Sequence, residues 1–166
     1  LAPDAEFVKA EGKPLEVILP SSAVHDAMMK FRDDKDLQFN FLVCLSGMDW
    51  GDSLGVVYHL FSLKYSTYLV VKTITTDREK PQLYSVADIW ATANMNEREV
   101  FDFFGIRFIN HPDMRRLFLR NDFVGFPLRK DYDMSEENNP LVMSNEETDD
   151  MTPVLVTNEK GEVEEK

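Results

Sequence analysis

Three features of the sequence predict an α+β fold in two layers, with helices on one face of a largely antiparallel sheet. They are a strand candidate followed by an amphipathic helix, a meander of three β-rich segments, and a further helical stretch behind them. With 166 residues, 43% of them hydrophobic, the chain is long enough for one domain with a sizeable core.

Leu15 to Leu19 form a short strand closed by Pro20, and Ser21 or Ser22 can then cap a helix by accepting a backbone N–H bond. Val24, Ala27, Met28 and Phe31 recur at i, i+3, i+4, i+7, which places a helix over about 22–34 with these four residues in the core. Residues 38–46 and 55–63 are rich in Phe, Val, Leu and Tyr, and Asp49, Gly51, Asp52 and Ser53 between them favour a turn. A third β-rich run, Tyr68 to Thr76, follows Lys64-Tyr65-Ser66-Thr67 and completes an antiparallel hairpin. After the polar turn Asp77 to Pro81, Val86, Ile89, Trp90 and Ala93 fall at helical spacing behind a Ser85 cap.

Charge and cysteine content exclude several functions. The formal net charge is −12, but Asp133 to Lys166 holds 11 acids against 2 bases, leaving 19 against 16 in residues 1–132. The body is near neutral and the tail acidic, which argues against nucleic acid. Cys44 is the single cysteine, so a disulfide framework and self-contained iron–sulfur or cysteine-based zinc sites are excluded. Gly51 and Gly55 form no G-x-G-x-x-G phosphate cradle. His25, His59 and His111 stand too far apart for a helical metal pair, and surface or hydrogen-bonded core roles are expected for the first two. No apolar run approaches the ~20 residues of a membrane helix, and no secretory signal opens the chain as given, so a cytoplasmic setting is expected.

The most informative stretch begins at Asn96. Asn96-Glu97-Arg98-Glu99 reads as a capping box that starts a short helix, with Arg98 and Asp102 placed i, i+4 and Phe101 and Phe104 on a shared apolar face. Gly105 ends it, because glycine enters the left-handed conformation without steric cost. Ile106 to Ile109 is a brief strand, and Pro112 forces His111 to be extended. Beyond it Arg115, Arg116, Arg120, Arg129 and Lys130 are interleaved with Phe118, Phe123, Phe126 and Tyr132, a composition enriched in interface cores. The expected partner contacts are Arg115, Arg116, Phe123, Arg129, Lys130 and Tyr132. The arginines could equally bind the chain's own Glu97, Glu99 and Asp102, and both readings stay open.

At these residues a family becomes recognisable. Glu97-Arg98-Glu99-Val100-Phe101-Asp102-Phe103-Phe104-Gly105-Ile106, then Phe108, then His111-Pro112-Asp113-Met114-Arg115-Arg116-Leu117, and finally Gly125-Phe126-Pro127-Leu128-Arg129-Lys130-Asp131-Tyr132 resemble the signature of the 30 kDa subunit of respiratory complex I, the NADH–quinone oxidoreductase. Phe123 and Phe126 stand where that family's pattern leads one to expect Trp and often His. The resemblance implies a non-redox subunit of a translocase, itself non-catalytic, docking onto subunits D (49 kDa), B and I. NADH, FMN, iron–sulfur clusters and quinone would be held elsewhere in the complex and no cofactor by this chain. It further implies a peripheral position on the cytoplasmic side of the plasma membrane, with membrane association only through the complex.

Three segments are therefore expected: an α+β domain over 1–109, an extended docking arm over 110–132, and an acidic, flexible tail over 133–166 in which Val154-Leu155-Val156 is a strand or anchor candidate. The motif residues Glu97, Arg98, Glu99, Asp102, Gly105, His111 and Pro112 are assigned structural roles. Two alternatives compete. One is the equivalent subunit of a membrane-bound hydrogenase or a ferredoxin- or F420-dependent dehydrogenase. The other is a free-standing acid–base enzyme using Glu97, Glu99, Asp102 and His111.

Overall fold

In chain order, the computed structural model comprises β1 (Glu6–Val8), β2 (Leu15–Pro20), a single 3-10 turn (Ser21–Ala23), α1 (Val24–Asp33), β3 (Phe41–Asp49), β4 (Leu54–Ser62), β5 (Thr67–Thr75), β6 (Gln82–Tyr84), α2 (Ala91–Phe104) and β7 (Arg107–Ile109). It describes residues 5–133 and 135, together with the backbone of 155–157 and 163–165. The chain divides into two units, residues 1–132 and 133–166.

In the first unit five strands form one sheet in the order β1-β2-β5-β4-β3. The β3–β4–β5 meander and the β1–β2 pair are antiparallel, and β2 joins β5 in parallel because α1 lies between β2 and the meander. Strand pleating sends alternate residues to opposite faces. Leu54, Val56, Tyr58 and Leu60 of β4, Leu69 and Val71 of β5, and Val17 and Leu19 of β2 are buried on one face against Val24, Ala27, Met28 and Phe31 of α1. The register shifts between Leu42 and Cys44, where Val43 is the extra residue of a bulge. α2 lies across β3, with Ala93 and Val100 in the same core.

The two-layer α+β expectation holds, and four local readings do not. Pro20 does end β2, but neither Ser21 nor Ser22 caps α1, whose first turn is preceded by the 3-10 turn. The meander strands are shifted by up to three residues from their expected bounds. Val86 to Trp90 is a turn closed by bonds from the Ile89 and Trp90 N–H groups to the Val86 carbonyl, not a helix. Finally, α2 starts at Ala91, so the capping box at Asn96 does not form. By Asn96 the backbone N–H groups already bond within the helix, leaving no orphan donor to cap.

In the second unit β8 (Leu155–Thr157) pairs antiparallel with β9 (Val163–Glu165), one residue further along than the strand candidate at Val154–Val156. The expected flexibility of the rest of the tail lies outside the described residues.

Candidate docking interface

α2 ends as the glycine predicts. Gly105 has φ 72° and its N–H bonds to the Phe101 carbonyl. A Cβ there would lie 2.5 Å from the Phe126 ring, so glycine is required both for the turn and for the aromatic packed on it. β7 then pairs parallel with β6, and the chain enters an irregular segment from Asn110 to Tyr132 that folds back over the end of α2.

Two helical residues one turn apart grip this arm. Helical spacing lets Arg98 and Asp102 pair with each other, but they do not. Instead Arg98 donates to the carbonyls of Arg115 and Arg116, both at 3.1 Å. Asp102, 0% exposed, collects the N–H groups of Leu117, Phe118 and Leu119 on one carboxylate oxygen at 3.0, 2.7 and 2.9 Å. Its other oxygen receives Arg116 at 2.8 Å. Buried backbone groups must find partners, and the arm's five here exceed what its own irregular backbone can satisfy. Burial alone would push the Asp102 carboxyl up, but the Leu119 N–H, the Arg116 guanidinium and the other two N–H groups outweigh it and hold the pKa below the usual range.

Arg116 also donates to the carbonyls of Asp102, Phe123 and Gly125 and lies over the Phe123 and Phe126 rings. Arg129 donates to the Phe104 carbonyl at the exposed C-terminal end of α2 and to the Arg78 carbonyl, with its guanidinium 4.8 Å from the Phe126 ring centroid. A second carboxylate anchors the far end of the arm. Asp49, closing β3, takes Arg78 in two-pronged fashion at 2.7 and 3.0 Å and the Lys130 N–H at 2.9 Å. The Arg78 bond, with the Lys130 and Gly51 N–H groups, holds the Asp49 carboxyl well below its ordinary value against the opposing effect of burial.

Glu97 stabilises the start of the same region. It is 0% exposed and accepts the Ser85 hydroxyl at 2.6 Å and the Val86 N–H at 2.7 Å. Burial pushes its pKa to about 7 even though both bonds favour the charged form. His111 is fixed between backbone groups: one ring nitrogen is 3.0 Å from the Asn94 carbonyl, and the other accepts the Asp113 N–H. That pattern sets the neutral tautomer with the proton facing Asn94. Glu97 and His111 approach to 3.9 Å with both side chains sealed from solvent, whereas Glu99 lies on the exposed side of α2 and Asp102 is enclosed by the arm. The four residues of the acid–base alternative thus do not converge on a common cavity.

The six residues expected to contact a partner fall into two groups. Arg115 is 72% exposed at its side chain, and its ion pair with Asp113 is a surface one; Lys130 is also exposed. Arg116 and Arg129 spend their donors inside the chain. Phe123 is half-buried beneath Arg116 and stacked on Tyr132, whose hydroxyl donates to the Val124 carbonyl. Pro112 is exposed in the loop leading into the arm. Sequence reasoning left out the arm's exposed apolar residues as contacts: Phe118 is 64%, Val124 78% and Leu128 54% exposed. The signal was available, since all three lie in the arginine–aromatic segment, but exposure is not readable from an irregular backbone. Among the described residues no group of His, Cys, Asp and Glu could hold a metal ion, and no helix is long and apolar enough to cross a membrane.

Residues 17–138 match the family model described as the respiratory-chain NADH dehydrogenase 30 kDa subunit. The chain is 55% identical over 149 residues to the C/D subunit of the NADH-quinone oxidoreductase of Phocaeicola vulgatus, covering 89% of this chain and 28% of that one. The C subunit of the Chlorobium phaeobacteroides enzyme is 39% identical over 132 residues, covering 78% of this chain and 80% of the relative. Among solved structures, a chain of the membrane-bound sulfane sulfur reductase, an archaeal respiratory membrane complex, superposes with a TM-score of 0.71 at 27% identity and covers 93% of this chain and 92% of that chain. This chain spans less than a third of the length of the C/D relatives.

Proposed function

The chain belongs to the respiratory-chain NADH dehydrogenase 30 kDa subunit family, and from that premise we propose that it is a docking subunit that holds redox-active neighbours in register without carrying electrons. One observation supports this most. The arm's backbone is locked from within by Asp102, Arg98 and Asp49, while Arg115, Phe118, Val124, Leu128 and Lys130 remain turned to solvent. A rigid irregular segment with exposed apolar and cationic side chains is preorganised for a partner, because little ordering entropy is left to lose on binding. The scarcity of thiols fits the same reading, with Cys44 alone on the chain.

In this reading the assembly is a proton-translocating NADH–quinone oxidoreductase in which NADH, FMN, the iron–sulfur clusters and quinone are bound by other subunits. The partners are the subunits of D, B and I type, and the chain sits peripherally on the cytoplasmic face of the membrane. Arg115 and Lys130 contact the partner directly, and Arg116, Phe123, Arg129 and Tyr132 act by shaping the arm. The likeness to an archaeal respiratory complex named for sulfane sulfur reduction favours a scaffold whose form does not depend on the electron acceptor.

Reversing the two exposed cations tests this. Arg115→Glu combined with Lys130→Glu should leave the fold intact, since neither side chain supports the core, yet lower the recovery of the chain in the membrane-bound assembly roughly tenfold or more. The measurement is the fraction of chain co-migrating with the complex on a native gel. Wild-type incorporation of the double variant would contradict direct contact by these residues.

A further inference from the structure

We infer that the exposed face of α2 and the neighbouring part of the arm form a second docking groove, which takes a segment of another subunit that presents a lysine or arginine among apolar side chains. The inference rests on the assembly role proposed above and adds a separate surface and a partner chemistry to it.

Met95, Glu99 and Phe103 recur four residues apart and so form one row along α2. Met95 is half exposed. Phe118 stacks on Phe103 with ring centroids 5.7 Å apart, extending the row onto the arm. Leu128 forms the opposite wall, fixed by its N–H bond to the Phe103 carbonyl at 3.1 Å. Glu99, Phe103 and Leu128, with Leu45, Ser46 and Gly47 of β3, line a groove of about 170 Å³, room for one ring-sized side chain, and Met95 and Phe118 flank it along the same row. Gly47 makes this shape possible. A Cβ at that position would lie 2.5 Å from the Phe104 ring, so only glycine lets the ring lie against the strand as part of the lining.

Glu99 is the one charged residue lining the groove. No hydrogen bond or ion pair engages it among the described residues, in contrast to Glu97 and Asp102 on the same helix. While the groove is open, water solvates the carboxylate. A purely apolar partner covering Met95, Phe103, Phe118 and Leu128 would strip that water and leave a buried unpaired charge, which is strongly unfavourable. A partner that brings a cation to Glu99 gains the apolar contact and removes the penalty together. Charge complementarity therefore selects a cationic, otherwise apolar segment over a lipid surface or a second copy of this acidic-edged groove.

The test uses the assembled complex. With the photoreactive residue p-benzoylphenylalanine in place of Phe118, irradiation should join this chain to a peptide of another subunit that carries Lys or Arg beside apolar residues. Glu99→Lys should reduce recovery of the assembly roughly tenfold or more, Glu99→Gln should reduce it less, and reversing the mapped cation to Glu should restore assembly of Glu99→Lys. Cross-links to lipid, to a second copy or to a peptide without a cation would overturn the inference, as would wild-type assembly of Glu99→Lys. The Arg115, Lys130 double variant separates the two proposals. If it blocks assembly while Glu99→Lys does not, the groove fails and the arm's docking role stands; if neither variant matters, both fall.

Discussion

Replacing Asp102 by alanine is expected to destabilise the chain by about 3–5 kcal/mol and to free the arm from α2. The change removes one small carboxylate but strands four donors: the guanidinium of Arg116 and the N–H groups of Leu117, Phe118 and Leu119. Three consecutive amides converge on a single oxygen, and exposing them to water requires the segment to lift off. Asp102→Asn is the informative companion, since it keeps one acceptor oxygen and loses the charge that neutralises Arg116. Urea unfolding measures the stability loss, and limited proteolysis between Arg115 and Arg120 reports release. An Asp102→Ala chain that resists protease like the wild type would refute the assignment of Asp102 as the arm's anchor.

The second large effect is on pH dependence. Glu97 in the fold titrates near 7, above the 4.5 of an unperturbed glutamic acid. Between those values the folded chain keeps a proton that the unfolded chain has released, so stability falls as pH rises across this window and is constant with respect to Glu97 above it. The shift corresponds to about 3 kcal/mol, full below pH 4.5 and lost by about pH 7. His25, raised by its bond to Asp88, adds a change of the same sign at the upper end. Asp49 and Asp102, both lowered, contribute stability that disappears only as pH falls below the window. Glu97→Gln retains an acceptor for Val86 while removing the titration, so the difference between variant and wild type isolates this residue. The expected result is a wild-type melting temperature that drops from pH 5 to pH 7.5 and a Glu97→Gln profile that is flatter by several degrees. Equal slopes would show that Glu97 does not retain its proton in the fold.

What the sequence revealed and what it hid follow one physical division. Regular periodicity was readable, so Val24, Ala27, Met28 and Phe31 were placed in the core, and the β3–β4–β5 meander was found to within three residues. Gly105 was readable because its conformation is local. The helix start was misread because Asn96 and Glu99 satisfy a capping pattern by spacing alone, while the true start at Ala91 carries no side-chain cap. The pairing of Arg98 with Asp102 was misread for a related reason. Helical spacing shows that two side chains can meet, but not that backbone groups 15 or more residues away will compete for both. β1 was missed altogether, since Glu6–Val8 is short and exposed and gains its form from pairing with β2. The arm's arginine–aromatic composition was readable, whereas the division into inward arginines and outward apolar residues depends on tertiary contacts that no local pattern encodes.

We propose that the arm over 110–132 is held rigid by the chain so that its outer side can meet another subunit. Hydrogen exchange, measured on this chain alone and again within its membrane assembly, tests it most directly. Amides bonded to Asp102, those of Leu117, Phe118 and Leu119, should be slow in both states. The amides of Asn121, Asp122, Val124, Gly125 and Phe126, which bond to no other residue among those described, should slow markedly only in the assembly. Exchange at these five that is as fast in the complex as in the free chain would contradict the docking role.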